Sequence, residues 1–415
     1  MKLEGIIVGG GAAGLLAAIT AAESGAAITI LEHMPRVGKK ILSTGNGKCN
    51  MTNFHMTAEC YRSGIDGVPM KVIGKFSVAD TIGFFRRLGV LTIDRNGYVY
   101  PASGQAQTVL DALRDKADSL GVRTYCDSKV LSINKKKDGR FTVKTELQNY
   151  TADFVILCAG SMAAKTTGSD GSGYELAKVL GHKIKKPLPA LVQLKCKGDF
   201  FKAIAGVRAD AKVSLYSMDK NGDRGVLLAE DKGELQLTDY GISGIPVFQV
   251  SRYAAEALDH KKRVLAVIDF MPDMTEDQLY TVLKDQRNYL RDRIAADFIN
   301  GLFNKKLAAL FLKSARIKPE QPVAEINNKK LAELCRVIKE ADFEVTGTNP
   351  YDKAQICMGG VDLRDVDTNT MESRLVPGLY FAGEILDVDG ICGGYNLQWA
   401  WSSGHLAAVS ATGMK

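Results

Sequence analysis

The apolar positions near the start of the chain come as two short runs separated by small residues. Gly5-Ile6-Ile7-Val8 has the length of a buried strand, and Ala27-Ile28-Thr29-Ile30-Leu31 reads as a second. The small-residue stretch 15–24 between them predicts a helix, with Gly25 suited to a left-handed stop. Further on, 3.6-residue periodicity predicts amphipathic helices over 78–88 and 106–119. Residues 98–101 read as a short extended piece between them. Strands are predicted over 122–125 and 129–133. A hairpin arm follows over 141–145, with Asp138-Gly139 as its turn. Residues 153–160 read as a buried strand, and 174–180 as a helix.

The pattern changes at Pro187-Leu188-Pro189-Ala190. Residues 191–270 alternate in short segments, which predicts an antiparallel β unit. Residues 271–341 read as largely helical, and Thr275 with Asp277 and Gln278 marks a helix start. A second boundary falls at 346–350. Beyond it come the apolar piece 356–361, a strand over 379–384 and a helix over 397–411. The expected division is 1–190 and 346–415 as the two parts of one domain, interrupted by a β domain (191–270) and a helical domain (271–345).

Chemistry enters at the glycines. Gly9, Gly11 and Gly14 form G-x-G-x-x-G directly after the first strand, with Ala12 and Ala13 inside the motif. In such a motif the first glycine permits a tight turn, the second lets backbone approach a pyrophosphate, and the third lets helix pack on strand. The free N–H groups at the helix start favour phosphate. Glu32 ends the second strand near the ~20-residue spacing expected for a ribose-binding acid. The stretch 38–53 is too polar and glycine-rich for a helix or core strand. It reads as a loop over the cofactor, with Lys40, Ser43, Gly45 and Asn50 as candidate contacts. Ala159 and Gly160 end a strand with small residues. Gly383 and Glu384 end another, followed by Asp389 and the turn Gly394-Tyr395-Asn396 at a helix start. Gly171-Ser172-Gly173 lacks a preceding strand and a third glycine, so it is rejected as a second nucleotide site.

Composition narrows the classes. No apolar run is long enough to span a membrane, and the first strand leaves no room for a leader peptide, so the chain reads as cytoplasmic. Its eight cysteines form no C-x-x-C pair and its five histidines no metal-ligand spacing. The net charge of +7 reads as spread along the chain, with short basic clusters at 135–137 and 183–186.

These motifs resemble the HI0933-like (YhiN/BaiN-like) flavoproteins. The match rests on Gly9 to Gly14, Gly38 to Asn50, Thr238 to Pro246, and Gly378 through Asp389-Gly390 to Gly404. The resemblance implies a Rossmann-like, two-dinucleotide-type FAD fold interrupted by β and helical parts. It also implies that Val130 touches the adenine through its backbone. Cys392 and Asn46 depart from the family pattern, where Thr and Gly are more usual. The implied activity is a FAD-dependent oxidoreductase that reduces an activated C=C bond of a steroid-like enone or similar small molecule. NAD(P)H is the implied transient donor. An amine oxidase using oxygen is the alternative, and an RNA-modifying flavoprotein a further one, with no nucleic acid expected. Tyr395, Tyr240 and Trp399 are candidates for a substrate pocket or for the core. Cys49 and Cys392 are candidates for a redox pair or for buried thiols. No catalytic residue and no metal ligand is assigned.

Overall fold

The computed structural model describes residues 2–413. They divide into two compact units, one formed by Met1–Leu188 with Gln355–Lys415 and the other by Pro189–Ala354.

The first unit is built on a seven-stranded sheet. Its order is Val366–Asp367, Glu372–Ser373, Leu379–Phe381, Phe154–Leu157, Glu4–Val8 (β1), Ala27–Leu31 (β2) and Arg123–Tyr125. The last five run parallel, and the two strands beyond Leu379–Phe381 are antiparallel. Parallel strands are buried on both faces and read as continuous apolar runs. Phe154–Leu157 is buried at every position, and β1 at all but Glu4. The first helix, Ala12–Glu23 (α1), follows the glycine turn. The last, Tyr395–Thr412, packs beside it. Gly404 allows that approach, since a Cβ there would lie 2.5 Å from the Ala13 carbonyl oxygen. The chain's two ends therefore meet in one core.

The predicted elements 78–88 and 106–119 appear as helices Val78–Arg87 and Ala106–Ser119. The Asp138-Gly139 hairpin forms within a three-stranded antiparallel sheet. One expectation fails. The stretch 38–53 contains a one-turn helix, Lys39–Ser43, a 3-10 turn at Thr44–Gly47 and a short strand, Thr52–Asn53. Gly38, at φ +73°, ends the preceding chain in the left-handed region and so frees the next five residues to wind.

The second unit is a closed six-stranded barrel in the order Leu194–Cys196, Gly241–Gly244, Arg224–Leu237, Arg208–Met218, Val264–Asp269 and Ala341–Thr348. Helices Glu276–Tyr289, Lys305–Ser314 and Asn328–Lys339 are inserted between its last two strands. The capping box of Thr275 and Gln278 forms as the sequence suggests. Barrel and helices share one apolar core, in which Phe270 packs edge-on against Phe311. The sequence-based division at 270/271 is therefore no break between units. The strand Ala341–Thr348, which spans the expected boundary at 345, belongs to the barrel.

Candidate flavin site

The site is assembled at the carboxyl ends of the parallel strands, where open α/β sheets bind ligands. The tight three-glycine turn after β1 is possible because Gly9 has φ +100°, and a Cβ there would lie 2.5 Å from the Cys158 carbonyl oxygen. Gly14 is tighter still, with its missing Cβ 1.9 Å from the Gly9 carbonyl oxygen. Gly11 differs from both. Nothing lies within 4 Å of its absent side chain, so no protein atom demands glycine there. It is also the N-cap of α1 and gives that helix no side-chain cap. The first-turn N–H groups thus lack a side-chain cap and start beside a glycine that packing does not explain, and that combination fits a phosphate group.

Glu32 is buried, with one carboxylate oxygen accepting from the Gly10 N–H at 2.7 Å and the other from the Met34 N–H at 2.8 Å. These bonds hold the carboxylate between the glycine turn and the end of β2. Each oxygen keeps acceptor capacity for hydroxyl groups. The Ser128 N–H donates to the Glu32 carbonyl oxygen at 2.8 Å, which brings the Val130 strand alongside. Ala13 lies against Gly383, whose Cβ would approach it to 2.9 Å. Ala159 packs under Gly173, and Gly160, at φ +72°, lies beside Ser169. Ala12 opens α1. Residues from both ends of the chain therefore line one end of the groove.

At its middle, the Lys40 ammonium donates to Glu384 at 2.6 Å and lies 3.4 Å from the Ala163 carbonyl oxygen. The Ser161 hydroxyl reaches the same carboxylate at 3.3 Å. Ser43 is not aimed at the site. It is exposed, and its hydroxyl donates to the Lys40 carbonyl oxygen.

At the far end lies the turn before the last helix. Gly394, at φ +93°, is crowded by the Thr52 carbonyl oxygen at 2.7 Å and the Asn50 Oδ1 at 2.9 Å from its would-be Cβ. Asn50 Oδ1 is buried and has no hydrogen-bond partner, an uncompensated cost that calls for a ligand or a water at this position. Asn396 accepts from the Gly390 N–H at 2.8 Å and donates back to the Gly390 carbonyl oxygen, which locks the turn. Asp389 is buried within the adjacent strand Val388–Gly390. Gly45 lies against Asn50 and the Tyr100 ring.

The aromatic candidates separate. Trp399 is core, its indole N–H donating to the Gly383 carbonyl oxygen. Tyr395 is also buried, and its hydroxyl donates to the His55 carbonyl oxygen. Tyr240 belongs to the second unit. Tyr98 borders the turn at Gly393 and Tyr100 lies against Gly45, and sequence reasoning passed over both as a strand. Their signal was alternation, with Val99 buried between them. Cys49 is buried and its thiol is pushed up to about 12 by desolvation, so it is a neutral thiol at physiological pH. Gly10 and Ser161 were also missed. A recess on one face of the sheet, lined by Glu4, Thr29, Arg123 and Tyr125, contains none of these groups.

This arrangement defines an α/β Rossmann-like FAD-binding fold with an antiparallel β insert, and a flavoprotein oxidoreductase. The chain belongs to the family described as HI0933-like protein Rossmann domain, whose profile matches residues 3–410. It is 42% identical over 407 residues to the 3-dehydro-bile acid delta(4,6)-reductase of Clostridium scindens, covering 98% of both chains. It is 28% identical over 415 residues to the ribosomal RNA dihydrouridine synthase of Haemophilus influenzae, covering 98% of both. A solved 3-ketosteroid delta1-dehydrogenase from Sterolibacterium denitrificans has the same fold, with TM-score 0.52, 12% identity and full coverage of both chains. Among the described residues no helix is long and apolar enough to cross a membrane.

Proposed function

We propose that this protein reduces a C=C bond conjugated to a carbonyl, in a small steroid-like enone, with NAD(P)H as transient electron donor. The observation that carries the reading is the 42% identity to a bile-acid reductase over 98% of both chains. In this reading the Gly9–Gly14 turn takes the pyrophosphate of FAD, Glu32 the adenosine ribose, and the Val130 strand the adenine. The Lys40–Glu384 pair flanks the ribityl–pyrophosphate middle. Asn50 and the Gly394 turn meet the ring. Bound flavin supplies hydride transfer to the β-carbon of the enone. The N-terminus of helix Tyr395–Thr412 directs positive potential to the ring's carbonyl edge, where reduction builds negative charge. Tyr98 and Tyr100 form the wall nearest that edge. The donor binds without a second dinucleotide fingerprint, which the chain lacks.

A second reading has its own support. Full-length relatives at 27% and 28% identity are ribosomal RNA dihydrouridine synthases. The uracil C5=C6 bond is also conjugated to a carbonyl, so the same flavin chemistry serves a nucleobase.

The test is anaerobic. NADH or NADPH is mixed with the flavin-loaded protein, and the reduced protein is then mixed with a 3-oxo-delta4 steroid. Bleaching by nicotinamide and reoxidation by the steroid, with saturated ketone as product, support the first reading. Reoxidation only by uridine-containing RNA moves the assignment to the second. Bleaching by a primary amine but by neither nicotinamide contradicts both and returns the amine oxidase.

A further inference from the structure

The +7 net charge is not spread evenly: residues 178–208 hold 8 Lys or Arg against 1 Asp or Glu, and the helical part of the second unit holds a further excess. Residues 282–330 hold 11 Lys or Arg against 5 Asp or Glu, an excess of 6 in a stretch that is about an eighth of the sequence. All of this stretch lies within the second unit. Several basic residues of the barrel are paired internally: Arg208 with Glu234, Lys212 with Glu230, Arg224 with Glu340, Arg263 with Glu344. In the helical stretch, among the described residues, Arg291, Arg293, Lys318 and Lys330 form no ion pair within 4 Å. The acids among them, Asp285, Asp292, Asp297, Glu320 and Glu325, are exposed and form none either. Unpaired exposed cations keep their charge available to a partner, whereas cross-strand pairs spend it internally.

The backbone gathers these cations. Residues 291–296 run antiparallel beside 319–324. The Ala295 N–H donates to the Gln321 carbonyl oxygen at 2.8 Å, and the Val323 N–H to the Arg293 carbonyl oxygen at 2.9 Å. Lys330 is tied to the same place by its bond to Gln321 Oε1 at 3.1 Å. Tyr289, at the end of helix Glu276–Tyr289 and two residues before Arg291, is 80% exposed. An aromatic ring left in water at the edge of a cluster of guanidinium groups gives a stacking platform beside phosphate-binding forks, the combination used to hold single-stranded nucleic acid. We infer that the face formed by Tyr289, Arg291, Arg293, Lys318 and Lys330 binds single-stranded RNA. An acidic protein surface would use the charges but leave the exposed ring without a partner. The inference concerns a docking face and does not rest on the identity of the reduced substrate.

The test uses the full-length, flavin-loaded protein and a labelled 20-nucleotide oligouridylate, with binding followed by anisotropy from 50 to 300 mM salt. Wild type is expected to bind with affinity that falls steeply with salt. The triple reversal R291E/R293E/K318E is expected to weaken binding at least tenfold at 150 mM. It should also flatten the plot of log affinity against log salt by about 2, the slope lost with three phosphate contacts. The conservative R291K/R293K variant should bind within about threefold of wild type, which separates lost charge from lost fold. Tyr289→Ala should weaken binding about fivefold or more without changing the salt slope. Flavin reduction by nicotinamide should be equal in all four proteins. The proposal is overturned if wild type shows no binding at 50 mM salt, or if the triple reversal binds like wild type. It is also overturned if polyglutamate of matched length competes as well as unlabelled oligouridylate.

Discussion

The two units put buried polarity and tight glycines to different uses. In the sheet unit, polar groups are buried beside glycines that packing or strained backbone requires: Glu32, Asn50 and Asp389 near Gly9, Gly14 and Gly394. In the barrel several charges sit outside in cross-strand pairs, and Gly233 meets only the edge of Pro246, 3.3 Å from its would-be Cβ. Burying polar groups costs free energy unless each is partnered. A region that does so repeatedly at one groove is organised around something besides its own stability. The barrel's tight glycines instead face its own strands, Gly241 against the Leu194 carbonyl oxygen and Gly244 against the Glu234 carbonyl oxygen, and serve strand pairing.

The largest difference is expected between Gly14 in the groove and Gly233 in the barrel. Gly14→Val puts side-chain atoms onto the Gly9 carbonyl, so it should cost at least about 3 kcal/mol and yield protein without bound flavin. Gly233→Ala should stay within about 0.5 kcal/mol of wild type. Thermal melts and the flavin absorbance of purified protein check both. Glu32→Gln comes next. It weakens two charge-assisted bonds to backbone N–H groups, and should lower stability by about 1–2 kcal/mol and FAD affinity at least tenfold. Glu230→Gln should change stability by less than about 1 kcal/mol.

Smaller effects sharpen the comparison. A double-mutant cycle on Lys40 and Glu384, whose side chains are only 21% and 18% exposed, should give a coupling of about 1 kcal/mol. The exposed Arg208–Glu234 pair should give less than about 0.5 kcal/mol. The thiols should show no contrast at all. Burial pushes both Cys49 in the sheet unit and Cys196 in the barrel up to about 12. Their folded pKa values lie above the unfolded ones, so this contribution to stability is intact below about pH 8.5 and is lost as pH rises toward 12. Neither should react with iodoacetamide at pH 8 before unfolding, as peptide mass mapping would show.

Much of this was legible in the sequence because local rules were strong. The apolar runs of β1 and β2 and the glycines between them leave few alternatives, and the Thr275–Gln278 capping box formed as read. What escaped depends on tertiary context. The helical turn Lys39–Ser43 is too short for periodicity to register. Barrel closure joins Leu194–Cys196 to Ala341–Thr348, strands about 150 residues apart that no local pattern links. Trp399 and Tyr395 carry polar atoms that suit a pocket, yet each finds a backbone carbonyl and goes into the core. The basic stretch 282–330 contains no long charge run, and its cations gather only where residues 291–296 pair with 319–324.

The most direct measurement is FAD titration of apoprotein carrying Gly11→Val, with a thermal melt alongside. Beyond its chain neighbours no protein atom lies within 4 Å of a Cβ placed there, so the fold should tolerate the change and melt within a few degrees of wild type. If the glycine turn takes the pyrophosphate, FAD affinity falls about a hundredfold or more. Undiminished binding by a fully folded variant would contradict the placement of the cofactor and the account built on it.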